Sequence, residues 1–221
     1  MISSSSTIEF LILQISVAFS PGLIIALIVN ESVQKSRKNG LQVAAGAASG
    51  AIFITLITAT VVAFVFNLIP GILTTIYIVG IIYIIYKGIK TIRAAIETDA
   101  PEIALETVTN VAKKLDGTYA PEIASESFKA GMKLNLLNPK MWVFYLSVLP
   151  IFVESESNIF QSLIYLGTLT IGVNLIADIT YAFLSSYFFG SSSLKSKKLI
   201  NNVSGFCLIL IGAYLFFSRF F

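Results

Sequence analysis

Three polar interruptions stand inside otherwise apolar sequence, and each brings groups able to hold an ion or a zwitterion. Asn138-Pro139-Lys140 sets an amide, a helix breaker and a cation within an apolar run from about Met132 to Val153. Ser20-Pro21-Gly22 breaks an earlier run, and Asp178 puts a carboxylate beside Asn174 well inside a later one. Helix breaks at membrane depth persist where protein or a water-lined path re-satisfies the backbone, and ionisable residues inside lipid mark substrate or ion pathways.

The chemistry of each break follows from its residue types. Proline has no amide hydrogen and its ring crowds the preceding turn, so Pro21 predicts a carbonyl near Val17 without its usual partner, and Gly22 permits local unwinding. Pro139 acts in the same way on the carbonyl of Asn135, which the side-chain amides of Asn135 and Asn138 either satisfy or leave for a ligand. A freed carbonyl attracts an ammonium or a metal cation. Lys140 suits a carboxylate; the competing reading is snorkelling to headgroups, since Lys133 lies only about 10 Å away along a helix rising 1.5 Å per residue. An unpaired Asp178 is costly in lipid, so it must face the bundle interior, pair with a cation such as Lys140, or take up a proton. Each option suits transport, through a substrate ammonium or a coupling proton; the structural alternative is a buried ion pair or a polar helix contact. Glu9 lies nearer a membrane edge, where water solvates it.

Several chemistries are excluded. The chain has no histidine and one cysteine, Cys207, which removes the commonest neutral-pH proton shuttle, the commonest metal ligand and any intrachain disulfide. No nucleophile is accompanied by a histidine or a metal cluster, so neither an enzyme nor a resident cofactor is expected. The net charge is +3, but the basic residues form short clusters between apolar runs and give no continuous face for nucleic acid.

The elements that position these residues are membrane helices. A chain of 221 residues, 56% hydrophobic with a mean hydropathy of +0.84, cannot hide its apolar surface in one water-soluble core, so the lipid bilayer is its solvent. Six runs are long enough for a hydrocarbon core of about 30 Å, near residues 7–30, 41–66, 72–90, 132–153, 159–190 and 199–218. The expected fold class is therefore an all-α integral membrane protein with six transmembrane helices. Met1 to Thr7 carries no Lys or Arg, so the first run reads as a retained span rather than a signal peptide. Gly46-Ala-Ala-Ser-Gly50 has the small-residue spacing that brings membrane helices into close contact, and the Phe and Tyr residues, such as Tyr83, Tyr86, Tyr181 and Tyr187, read mainly as lipid contacts and interface anchors.

Cations set the orientation. Lys35, Arg37 and Lys38 follow the first run, seven Lys and Arg from Lys87 to Lys133 separate the third and fourth, and Lys195, Lys197 and Lys198 precede the sixth. Those connections belong in the cytoplasm, with both termini outside a cell membrane; the cation-free stretch around Asn67 to Gly71 and the connection with Glu154 and Glu156 face outward. Residues 1–90 and 131–221 each hold three spans, an odd number, so two related units would enter from opposite sides as inverted three-helix repeats. Between them, 91–130 reads as a cytoplasmic amphipathic linker. Asp99, Pro101 and Glu102 form a helix start, Val108, Val111, Ala112 and Leu115 share a face, and Gly117 is a stop. It either lies on the membrane surface or regulates access.

Taken in order, Phe19-Ser20-Pro21-Gly22, Lys38-Asn39-Gly40-Leu41, Gly46 to Gly50, Gly80 to Gly88, and Gly131 through Asn138-Pro139-Lys140 to Leu149-Pro150 and Phe152 resemble the LysE/RhtB family of amino-acid exporters. The resemblance spans most of the chain outside the linker. It implies a six-helix secondary transporter exporting an amino acid or related zwitterion, driven by an ion gradient such as protons, with both proline motifs lining the pathway. One departure stands out: the family motif reads Pro-Gly-Pro, and Leu23 takes the place of its second proline. A substrate path would then comprise Ser20, Pro21, Gly22, Asn135, Asn138, Pro139 and Lys140, with Asp178 for coupling or the substrate amine. Homo-oligomerisation stays open. The alternatives are a related exporter of divalent metal such as cadmium, which the scarcity of intramembrane carboxylates disfavours, and a non-transport membrane scaffold or thiol carrier, for which one cysteine is too few.

Overall fold

The computed structural model describes residues 2–20, 22–69, 72–96, 124–153, 158–189 and 193–220. Pro21, the helix expected within 99–117 and the Glu154–Glu156 connection lie outside them. Among the described residues the fold is all helical. Helix α1 (Ser4–Ala18) starts where Ser3 accepts a hydrogen bond from the Ser6 amide, and α2 (Leu23–Gln34) follows at a 51° bend. Ser36 caps α3 (Arg37–Leu68) through the Asn39 amide. After α4 (Ile72–Ile96) come α5 (Ala124–Leu136) and the short α6 (Pro139–Val143). A π-helical turn, Phe144–Val148, and a 3-10 turn, Leu149–Phe152, extend α6. Two long helices, α7 (Ile159–Phe189) and α8 (Ser193–Phe220), complete the bundle.

Among the described residues, three single helices are long and apolar enough to cross a bilayer, over Arg37–Phe66, Thr74–Arg93 and Ile159–Ser185, and the bent α1–α2 pair makes a fourth. The apolar parts of the other two expected runs, Pro139–Phe152 and Gly205–Phe217, are shorter. The run expected as one helix over 132–153 divides because Asn138 precedes a proline. It takes an extended conformation, φ −79° and ψ 106°, and becomes the N-cap of a new helix. Upstream, α5 is amphipathic, with Lys129 and Lys133 exposed and Ser127 and Asn135 buried.

Glycines bring the helices together. A methyl group on Gly46 would strike the carbonyl of Phe128, and one on Gly131 would strike the carbonyl of Val43, so α3 and α5 pack backbone to backbone. Gly88 and Gly205 do the same between α4 and α8, each 2.8 Å from the other's carbonyl when a Cβ is built. Helix α3 also packs on α7, α1 and α2 on α7, and α4 on the π-helical turn. Large apolar side chains face outward on α3 and α7, among them Phe64 and Ile176, 64% and 63% exposed. Such a belt belongs in lipid. Inside, Phe10 meets Phe152 edge to face at 5.2 Å, within a cluster holding the fully buried Leu13, Tyr145 and Leu163.

Candidate functional site

The two helix breaks meet at one cavity of about 510 Å³. Ser20 and Gly22 reach it from the first break, Asn135, Asn138 and Lys140 from the second, and Asp178 from α7. Six of the eight expected site residues therefore line one cavity. Pro139 is exposed and does not line it, and Pro21 lies outside the described residues.

The backbone near each break is better satisfied than the prolines suggested. The carbonyl of Val17 accepts from the Ser20 amide at 3.3 Å, and that of Asn135 accepts from the Asn138 amide at 3.2 Å. Tight turns thus replace the lost helical bonds, and neither carbonyl is left for a cation as expected. Two side chains complete the work: Trp142 donates its indole N–H to the Leu136 carbonyl at 2.6 Å, and Tyr181 donates its hydroxyl to the Phe19 carbonyl at 2.8 Å. Tyr181 is buried, so its reading as a lipid anchor is corrected. The asparagines are also partly committed. Asn138 caps α6 through the Lys140 amide at 3.1 Å, and Asn135 donates to the Ala47 carbonyl at 2.6 Å while its Oδ1 has no partner.

Positive potential converges on the first break. Glycine at the N-cap gives α2 no side-chain cap, so its first-turn amides are uncovered where Leu23, Ile24 and Ile25 line the cavity. The Lys140 Nζ lies 3.6 Å from the position a Cβ on Gly22 would occupy. A helix N-terminus and an ammonium facing the same space form a setting for a carboxylate. Lys87 and Lys90 of α4 add two more cations to the lining.

Asp178 stands on the opposite element. It is 7% exposed, and among the described residues no hydrogen bond or ion pair engages it, so of the three options the pairing with Lys140 does not form. It is the one carboxylate among the described lining residues. Asn174, one helical turn earlier on the same face, accepts from the Gln14 side chain at 2.9 Å. Apolar groups make up the remainder of the wall, including Val17, Ala47, Ala51, Phe144 and Leu175. An apolar chamber with a cationic corner and a separate carboxylate suits a small zwitterion.

Besides Asn174, which the sequence places beside Asp178, four polar lining residues were not anticipated as site residues. Gln14 and Thr170 sit in runs read only as spans, although Gln14 is the one side-chain amide between residues 7 and 29. Lys87 and Lys90 close the expected run at 72–90 and were read only as cations that set the orientation, but α4 continues beyond them to Ile96. Adding the helical rise beyond Lys87 would have drawn them back towards the bundle.

The sequence is similar to those of known membrane proteins. The sequence is 27% identical over 201 residues to an uncharacterised membrane protein of Synechocystis sp., covering 90% of this chain and 89% of the relative. It is 26% identical over 196 residues to the uncharacterised membrane protein YrhP of Bacillus subtilis, covering 87% and 89%. A homoserine/homoserine lactone efflux protein of Salmonella typhi is 28% identical over 141 residues, 63% of this chain and 61% of that protein. No solved structure matches. Residues 15–219 match the LysE type translocator family, a range that includes both breaks, Asp178 and the cavity lining apart from Gln14; the chain belongs to that family and is a membrane transport protein rather than an enzyme.

Proposed function

We propose that the protein exports a small neutral amino acid, or a closely related zwitterion, across the cell membrane in exchange for protons. The observation that carries this reading is the cavity, where Lys140 and the uncapped start of α2 oppose the unpaired Asp178. The substrate carboxylate binds between the Lys140 ammonium and the first-turn amides of α2. Its ammonium turns towards Asp178. In the proton-loaded state Asp178 loses its charge and its hold on the amine, which links release to the proton gradient. Homoserine is the first substrate to test, because a distant relative is named for its efflux.

Alternating access follows from the helix pairing. Residues 1–90 and 131–221 act as two inverted repeats joined by the linker at 91–130. Contacts of α3 with α7 and of α4 with α8 pair each unbroken helix with its counterpart in the other half. The broken pair α1–α2 contacts α7 as α5–α6 contacts α3, which a twofold exchange requires. With the termini outside, the Phe10–Phe152 cluster lies on the outer side and the lysines of α4 towards the cytoplasm, an inward-facing arrangement. A divalent-metal substrate is less well supported, since three lysines and one carboxylate line the cavity.

Efflux of labelled homoserine from proteoliposomes tests the reading. Export that accelerates with an opposing proton gradient and collapses with an uncoupler is expected. Cadmium transport without amino-acid transport would reject it.

A further inference from the structure

Gln14 has one polar half engaged and the other available. It is 1% exposed, and its Nε2 donates to Asn174 Oδ1 at 2.9 Å. That bond fixes the orientation of the amide and leaves Oε1, an acceptor without a partner, in a residue that lines the cavity. A buried acceptor left unbonded costs about 1–3 kcal/mol, so a structural role alone is a poor account of a glutamine here. Leucine would fill the same space in an apolar run at no such cost. Asn174 and Asp178 are four residues apart on α7 and project side by side. Gln14 is therefore held from α1 against the same polar stripe that carries the carboxylate.

We infer that Gln14 is a specificity-determining residue: its Oε1, oriented by Asn174, completes with Asp178 the subsite that recognises the primary ammonium of the substrate. The inference rests on the exporter reading above and adds which residue distinguishes an amine from other substituents. An ammonium brings three donors and no acceptor. Two acceptor groups approaching from different helices, a carboxylate on α7 and an amide oxygen on α1, match that geometry better than a carboxylate alone. A 2-hydroxy acid offers a single donor at the same position and cannot satisfy both, so the site rejects it by leaving an acceptor buried and unpaired. The carboxylate corner around Lys140 treats the two compounds alike.

The test compares homoserine with its 2-hydroxy analogue, 2,4-dihydroxybutanoate, in counterflow into proteoliposomes. Wild-type protein is expected to prefer homoserine by at least tenfold in kcat/KM. Gln14→Leu should lose most of that preference, through a fall for homoserine of about tenfold with little change for the analogue, because a hydrogen bond to a charged group contributes about 1.5–3 kcal/mol. Gln14→Glu loses the donor to Asn174 but keeps an acceptor at the same place, to which the Asn174 amide can turn and donate, and should restore the preference, which separates recognition from mere packing. Equal loss of both substrates in Gln14→Leu, with no rescue by Gln14→Glu, would assign Gln14 to holding α1 against α7 and overturn the inference. A wild-type protein that carries both compounds equally overturns it as well, while leaving the exporter reading intact. Transport of neither compound would overturn both.

Discussion

Replacing Lys140 by methionine removes the cation from the corner where α2 begins while keeping a chain of similar length. Its Nζ lies 3.6 Å from the Cβ position of Gly22, beside amides that carry no side-chain cap. A carboxylate bound there makes one charge-assisted bond to Lys140 and further bonds to the helix amides, which the variant retains. Losing the first costs about 1.5–3 kcal/mol, or about 10- to 150-fold in Kd at 1.4 kcal/mol per tenfold. Binding should be weakened rather than abolished. Calorimetric titration of the detergent-solubilised protein with homoserine measures this directly, and 3-aminopropanol, which has the amine and hydroxyl without the carboxylate, supplies the control. Wild type should bind the amino alcohol far more weakly than homoserine, and Lys140→Met should bring the two together, as in a double-mutant cycle taken across protein and ligand. Lys140→Arg should recover only part of the affinity, because the guanidinium adds atoms where the ammonium already stands in contact range of Gly22. A Lys140→Met protein that binds homoserine within about twofold of wild type, against the tenfold minimum worked above, would refute the carboxylate assignment and leave Lys140 as a headgroup contact.

Asp178→Asn should abolish acceleration of homoserine efflux by a proton gradient while leaving slow exchange; full pH-driven efflux in proteoliposomes would remove Asp178 from coupling. Gly131→Val should destabilise the bundle by about 1–3 kcal/mol, since its side chain meets the Val43 backbone, whereas Gly172→Ala, with nothing within 4 Å of its Cβ, should be neutral or slightly stabilising. Equal melting temperatures for these two variants would contradict the close packing of α3 on α5. Ser127→Ala should cost about 1–3 kcal/mol, because Ser127 donates to the buried Glu31 at 2.7 Å and accepts from Asn39 at 3.0 Å; an unchanged denaturation midpoint would show that this network contributes nothing.

The candidate site residues most visible in the chain were those that violate its solvent. Lys140, Asp178 and the glycine after Pro21 stood out because lipid penalises charge and broken backbone, and all three line the cavity. Gln14 was less visible because a single neutral amide barely alters the hydropathy of its run. Its significance depends on Asn174, 160 residues away, and such pairing has no local signature. Lys87 and Lys90 were less visible for another reason: they close the run at 72–90 and count there as cytoplasmic cations, but the helix continues to Ile96 because its backbone bonds persist. The divided fourth run shows the converse. Proline and its predecessor announced a break, yet no local pattern indicates whether two turns bend slightly or become separate helices. That outcome depends on Trp142 reaching back to the Leu136 carbonyl and on Gly131 admitting α3.

The distribution of close contacts also bears on how such a site can open. Where backbone meets backbone, as at Gly46 with Phe128 and Gly88 with Gly205, no side chain can absorb a displacement, so α3 with α5 and α4 with α8 should move as rigid pairs. The breaks are different. At Asn138 the chain leaves helical geometry and is held by individual bonds, among them those of the Asn138 amide to Asn135, the Lys140 amide to the Asn138 side chain and Trp142 to Leu136, and after Phe19 by the Ser20 amide on Val17 and the Tyr181 hydroxyl from α7. Individual hydrogen bonds exchange at modest net cost, about 0.5–1.5 kcal/mol each, whereas separating a glycine-locked interface loses all its contacts together. In the proposed cycle the rigid pairs therefore rock about the breaks, and the cavity lies where both breaks meet because only there can the walls move without unpacking the bundle. Substrate bound between Lys140 on one broken segment and Asp178 on α7 spans this junction, so its charge pattern can bias the motion that releases it.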